Sequence, residues 1–322
     1  MHCRQRGDNI LSSGQGAPNP DRFEGVTIFS HFRHRLTAER AAPTSIAIEV
    51  LTPVSTANVR LPITSRFSNR TLADHTRAHP GMGLIANSGR DYLIAGSWRH
   101  RSDIVELIEL SSGDHRGELI RRLASKLAGA GVKLLILDYS VGAHDPSFFR
   151  REGFVLIERI LEFERLPGEI GSKPRPVGFT MQNYTAAAGP RILDLEKQAF
   201  PWLWWNSNEE WSAYIANPGV EIIAGYYDGE IIGYAGFVVY RNDGHLDRLA
   251  VHRNFHGRGL GSALLTEAMI RMADRGAKRI ALTTQENNYQ AQRLYENYGF
   301  RRGRWTYEIH GKWLGPGEDP RT

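Results

Sequence analysis

The sequence predicts an α/β protein of two similar domains, each a mixed sheet with helices on its faces. Three observations carry this. Beyond residue 177, short β-type runs alternate with runs of helical period. The segment "LPGEIGSKPRP", residues 166–176, sets three prolines and two glycines among charges between apolar blocks, as an exposed connector does. The halves on either side also resemble each other. "LIRRLASKLAGAGVKLLIL" (119–137) parallels residues 264–282, and "FFRREGF" (148–154) parallels "LYENYGF" (294–300), the pattern of an internal duplication. A chain of 322 residues is long enough for two domains that each bury a core.

In the second half a strand is predicted near 177–184 and a helix from about Pro190 to Ala199. Ser207 and Glu210 have capping-box spacing for a further short helix. Strands at 220–227 and 231–240 flank a short turn, "DGE" (228–230), and "HLDRLAV" (245–251) runs into a glycine-rich loop. The following helix places Leu264, Leu265, Ala268, Met269 and Met272 on one face and stops near Gly276. A strand (278–284), a helix "YQAQRLYENYG" and a closing strand (304–310) complete the half.

Composition narrows the function classes. No apolar run approaches the roughly 20 residues of a membrane span, and the first 20 residues have no apolar export core, so the protein is expected to be cytosolic. Cys3 is the single cysteine, which excludes an intrachain disulfide and a cysteine metal site; no metal is expected. The net charge of +5 is spread along the chain without a basic run, so nucleic-acid binding is not expected.

The chemistry concentrates in "HGRGLGSALL" (256–265), where Gly257, Gly259 and Gly261 open a helix. Glycines there either relieve a tight corner that needs positive φ, or bare the backbone N–H groups of a helix N-terminus as an anion seat. Carrying the duplication back puts Ser112, Asp114 and Arg116 at the three glycine positions and Phe149 at the position of Tyr295. On that register the first-half loop is crowded, Asp114 repels an anion, and a phenolic proton donor is missing.

With "AVHRNFHGRGLGSALL" followed by "NNYQAQRLYENYGF", the second half resembles the GCN5-related N-acetyltransferase (GNAT) superfamily over about residues 177–314. The resemblance implies a mostly antiparallel central sheet in each half and the organisation of a tandem member. Residues 1–25 are then a leader expected to be disordered, 26–166 a degenerate domain, 167–176 a linker, 177–316 the catalytic domain and 317–322 a tail. It also implies acetyl-CoA as cosubstrate, held by Leu249, Ala250 and Val251 of the preceding strand and by His256, Gly257, Arg258, Gly259, Leu260, Gly261 and Ser262 of the loop. His256 departs from the Gln or Arg usual in the family. Tyr295 corresponds to the family's proton donor to the departing thiolate; a tyrosine in "LYENYGF" would by itself suggest core packing, and the motif and the Phe149 contrast reverse that preference. Asn288 either contacts the pantetheine arm or caps its helix.

An ammonium acceptor must lose a proton before it attacks. His245 and Asp247, two apart on one strand, face the same side and are both candidates for the base; relay through water is a third option. Asp247 could instead pair with Arg248 or Arg253. Trp202, Trp204 and Trp205 in "FPWLWW" either pack the halves together or wall the acceptor, and Tyr240 and Tyr307 are further possible wall residues. Glu209 and Glu210 could attract an amine, or Glu210 could cap its helix. The expected function is acetyl transfer to a primary amine, on a small molecule or a protein N-terminus, by direct attack in a ternary complex. A non-catalytic acyl-CoA sensor or partner-binding module is the alternative.

Overall fold

Strand β4 (Ile104–Leu110), helix α2 (Arg116–Gly129) and strand β5 (Leu134–Leu137) form one parallel β-α-β unit. Leu119, Ile120, Leu123 and Leu127 recur at helical spacing on α2 and seal it onto the sheet. The computed structural model describes residues 46–137, 145–166, 168, 170–171 and 175–315, in one compact unit that begins at Ile46. The leader 1–25 with Cys3, the tail 317–322 and part of the connector lie outside the described residues.

Around that unit the first half adds β1 (Glu49–Val50), α1 (Asn69–Ala78), β2 (Gly83–Ala86), β3 (Asp91–Ser97), α3 (Pro146–Arg151) and β6 (Val155–Arg165). The second half follows the same order with one helix more: β7 (Phe179–Asn183), α4 (Gly189–Ala199), α5 (Asn208–Ile215), β8 (Val220–Tyr227), β9 (Glu230–Tyr240), β10 (Asp243–Val251), α6 (Leu260–Asp274), β11 (Arg279–Gln285), α7 (Tyr289–Asn297) and β12 (Arg301–Trp313). The hairpin between β8 and β9 turns on Asp228 and Gly229, both at positive φ as a tight primed turn requires. Leu264, Leu265, Ala268, Met269 and Met272 are all fully buried, so α6 lies on the sheet with the face its periodicity predicts.

The two halves do not own separate sheets. All twelve strands form one sheet in the order β1-β2-β3-β4-β5-β12-β6-β11-β10-β9-β8-β7, mostly antiparallel, with β4·β5 and β10·β11 the parallel pairs. At its centre β6 and β12 pair with each other, and each also pairs with the parallel strand of the opposite half: β6 with β11, β12 with β5. The connector at 166–176 therefore separates two stretches of sequence that remain joined through hydrogen-bonded strands. A core cluster crosses the junction, joining Ile104, Leu134 and Ile136 to Ile160, Leu203, Trp204 and Ile309. Phe200, Trp202 and Trp204 of "FPWLWW" belong here, Trp202 stacking on Trp313 and Trp204 meeting Trp98 edge-on, the packing role, while Trp205 donates to the Phe200 carbonyl at 2.8 Å.

The duplication is visible in the register. Counted from Ile104 and Asp243, which open the parallel pairs, both strands carry a bulge at the same step, at Ile108 in β4 and at Asp247 in β10. Aligned this way the first-half loop is shorter than the sequence register implied, 111–115 against 252–259. Counted back from the helices, whose buried faces match from Leu119/Leu264 to Leu127/Met272, Ser112 and Asp114 stand at the places of Gly257 and Gly259, and the missing length lies between β4 and Ser112; the first half lacks the length of the loop as well as its glycines.

Candidate functional site

The loop after β10 meets α6 with an unusual run of free donors. Gly257 and Gly259 have φ of 76° and 79°, so both need glycine for backbone reasons, and Gly259 is the N-cap residue of α6. Between Gly257 and Ser262, none of the backbone N–H groups donates to a partner among the described residues; the first helical bond at this end is Ala263 N–H to the Gly259 carbonyl, 3.0 Å. A side chain at Gly257 would point into open space, and one at Gly261 would make only ordinary contacts. Helix N-terminal N–H groups with the helix dipole behind them favour an anion. Both readings of the glycines hold: they permit the turn, and the turn presents the donors.

Beside this loop the sheet opens. β10 and β11 pair only over Asp243–Leu246 and Arg279–Leu282, up to the bulge at Asp247. Past it, Leu249, Ala250 and Val251 keep their β9 partners while the ladder to β11 ends, leaving backbone groups on that edge for a third party. The His256 ring closes the loop onto the strand, its Nε2 lying 2.8 Å from the Val251 carbonyl oxygen. Arg258 lies over the Phe255 ring at 5.0 Å.

Tyr295 on α7 is buried against Phe163 and Phe300, with ring centroids 6.1 and 5.9 Å away. Its hydroxyl has no hydrogen bond among the described residues, and burial raises its pKa well above the ordinary tyrosine value. The ring is core and the hydroxyl is uncommitted. Phe149 occupies the matching place on α3, packed edge-on against Phe154 at 5.5 Å. Asn288 is the N-cap of α7, its side chain accepting from Ala291 N–H at 3.2 Å, so capping accounts for it.

On the opposite face of the sheet His245 and Asp247 are in contact. His245 Nδ1 lies 2.7 Å from Asp247 Oδ1, and the Tyr214 hydroxyl on α5 donates to Asp247 Oδ2 at 3.0 Å. Against a carboxylate Nδ1 carries a proton, so in the neutral ring the lone pair lies on Nε2. Burial and the Asp247 charge hold Tyr214 protonated. The pairing of Asp247 with Arg248 or Arg253 is not formed: Arg248 turns instead to Glu196 Oε1, 2.8 Å from its Nε, and to the Trp204 carbonyl at 2.9 Å, while stacking over Phe200. Tyr234 also donates to Glu196.

Sequence reading missed Tyr214, Glu196, Tyr234 and Arg99 of the first half. Glu196 gave a signal, since it shares the buried face of α4 with Ile192 and Leu195, where a charge needs a partner. Tyr214 and Arg99 gave none, because only the fold brings them to β10 and α5. Tyr240 is half-exposed beneath Arg241, and Tyr307 packs at the junction core. Among the described residues no cluster suits a metal ion, and no helix is long and apolar enough to cross a membrane.

Residues 189–300 match the model of the acetyltransferase (GNAT) family. Over 84 residues the chain is 36% identical to spermine/spermidine N(1)-acetyltransferase of Bacillus subtilis, covering 23% of this chain and 55% of that one. Over 139 residues it is 27% identical to mycothiol acetyltransferase of Clavibacter michiganensis, covering 41% and 45%. The chain thus spans about half the length of these relatives. A GCN5-related N-acetyltransferase structure from Sphaerobacter thermophilus shares the fold, with TM-score 0.54 and 18% identity over 88% of this chain and all of that one.

Proposed function

As residues 189–300 match the model of the acetyltransferase (GNAT) family, we propose that the second half of this chain transfers an acetyl group from acetyl-CoA to a primary amine, and that the first half is a degenerate copy without that activity. The run of unpartnered N–H groups from Gly257 to Ser262 carries the reading. Those donors suit a diphosphate, and the open edge of Leu249–Val251 beside them suits the amide groups of a pantetheine arm. Bound acetyl-CoA supplies an activated acetyl thioester, and the residues around it handle two protons.

His245 Nε2 takes the proton of the arriving ammonium, as Asp247 and Tyr214 fix the imidazole in the tautomer that leaves this nitrogen free. The amine nitrogen then bonds to the acetyl carbon as the carbon–sulfur bond breaks, and the second proton this nitrogen sheds in becoming an amide replaces, through water, the one Tyr295 gives to sulfur. Tyr295 keeps its proton through the neutral range because burial disfavours the phenolate, and it delivers that proton to the departing sulfur. Backbone donors on the open strand edge polarise the acetyl carbonyl. No covalent enzyme intermediate enters.

Calorimetric titration of acetyl-CoA tests the cosubstrate site: one-to-one binding is expected, and absence of binding overturns it. Rates of thiol release with a panel of amines test transfer. Binding without transfer to any amine favours the acyl-CoA sensor.

A further inference from the structure

The first part of β12 is a strand edge that no described strand covers. β5 pairs only with Gly311–Trp313, and β6 pairs with Arg301 and Arg302 and then again from Thr306 onward. Gly303, Arg304 and Trp305 stand opposite the single residue Glu162, in a bulge that interrupts the ladder. From Arg301 to Thr306 the side of the strand turned away from β6 is therefore an unpaired row of N–H and C=O groups among the described residues. Position 303 has to be glycine, because a Cβ there would lie 2.5 Å from Glu162 Oε2.

The side chains of this edge are as unspent as its backbone. Arg301, Arg302 and Arg304 are exposed and form no ion pair or side-chain hydrogen bond among the described residues. The carboxylates nearest in register, Glu164 and Glu162, accept instead from Arg279 at 2.8 and 3.2 Å. Trp305 beside them is 75% exposed. Charge on an open edge guards it against chance pairing, but a large bare indole does the reverse. Alternation sorts these groups by face. Gly303 faces Glu162 and Tyr307 packs in the junction core, so Trp305, midway between them, projects on that same face, while Arg302 and Arg304 project on the other.

We propose that the edge Arg301–Thr306 docks an extended segment of a partner protein by strand addition, with acidic side chains at alternate positions over Arg302 and Arg304 and apolar ones over Trp305. A single-stranded nucleic acid would use the guanidiniums and the ring but leave the backbone row unpaired, so the unpaired row favours a peptide.

The test titrates three fluorescein-labelled probes into the full chain by anisotropy: the peptide EVEVEV, its block-ordered isomer EEEVVV, and an oligothymidylate of similar length. The alternating peptide should bind with a Kd of about 10–100 μM, about tenfold tighter than its isomer, and several-fold more weakly as salt rises from about 50 to about 300 mM. The double variant Arg302→Gln/Arg304→Gln should weaken it at least about tenfold and Trp305→Ala about threefold. Indole emission should change on binding in the wild type and not in Trp305→Phe. Equal binding of the two peptides, tighter binding of the oligothymidylate or no binding of the alternating peptide overturns the proposal. So does a double variant with the wild-type melting temperature that binds like the wild type. If the double variant fails to fold, the comparison of isomers and the emission change in Trp305→Phe decide. None of these readouts depends on acetyl transfer.

Discussion

The two β-α-β units of this molecule share a parallel strand pair, a bulge at the same step and a helix sealed by apolar residues, yet end in different loops. After β10 the chain takes residues 252–259 to reach α6 and leaves its N–H donors unspent. After β4 it takes only 111–115, and the Arg116 N–H is already directed at the Gly113 carbonyl at 3.4 Å. The Arg116 guanidinium turns to Asp145 at 2.7 Å and lies over Phe148. The core of each unit tolerates duplication because packing needs only apolar residues at the right period. A ligand seat needs loop length and free donors, and those can be lost while the fold persists.

The largest expected effect comes from giving the second loop a first-half character. Gly259→Asp adds a carboxylate at the N-terminus of α6 and a side chain at φ 79°, and should weaken acetyl-CoA binding at least about 100-fold by calorimetry. Undiminished binding would break the comparison, because the loop would then not be the seat.

Tyr295→Phe makes α7 resemble α3. The rate of transfer should fall about 10- to 100-fold with acetyl-CoA affinity unchanged. Wild-type rates with every acceptor would remove Tyr295 from the mechanism. Because burial raises the Tyr295 pKa, the folded protein keeps this proton at pH values where a free tyrosine loses it. A kcat profile should therefore show no alkaline fall at about pH 10, the ordinary tyrosine value; an inflection there contradicts the assignment.

Tyr214→Phe removes the hydroxyl that shares Asp247 with His245, and should lower kcat about three- to tenfold. Acetyl-CoA affinity, measured in the same preparations, distinguishes this from misfolding. The smallest effect on activity is expected from Phe149→Tyr. It restores a phenol in the first half without the loop, so acetyl-CoA should still bind once per chain. The hydroxyl would enter a packed aromatic cluster at a stability cost of about 1–3 kcal/mol, read as a lowered melting temperature.

The sequence by itself determined the elements of the second half, the buried face of α6, the glycine turn and the duplicated plan. Each is local: a period of two or 3.6, a residue needed at positive φ, a repeated string. Only the tertiary structure decided that β6 and β12 are shared across the halves, that the first-half loop is shorter, and that Asp247 turns to His245 and Tyr214 rather than Arg248. It also decided that Arg99 comes within 3.8 Å of Glu210 across 111 positions of sequence. Strand partners and buried ion pairs depend on which surfaces meet after the chain folds. A residue's own neighbours in sequence set its secondary structure and exposure pattern, but they carry no record of what arrives from the other half.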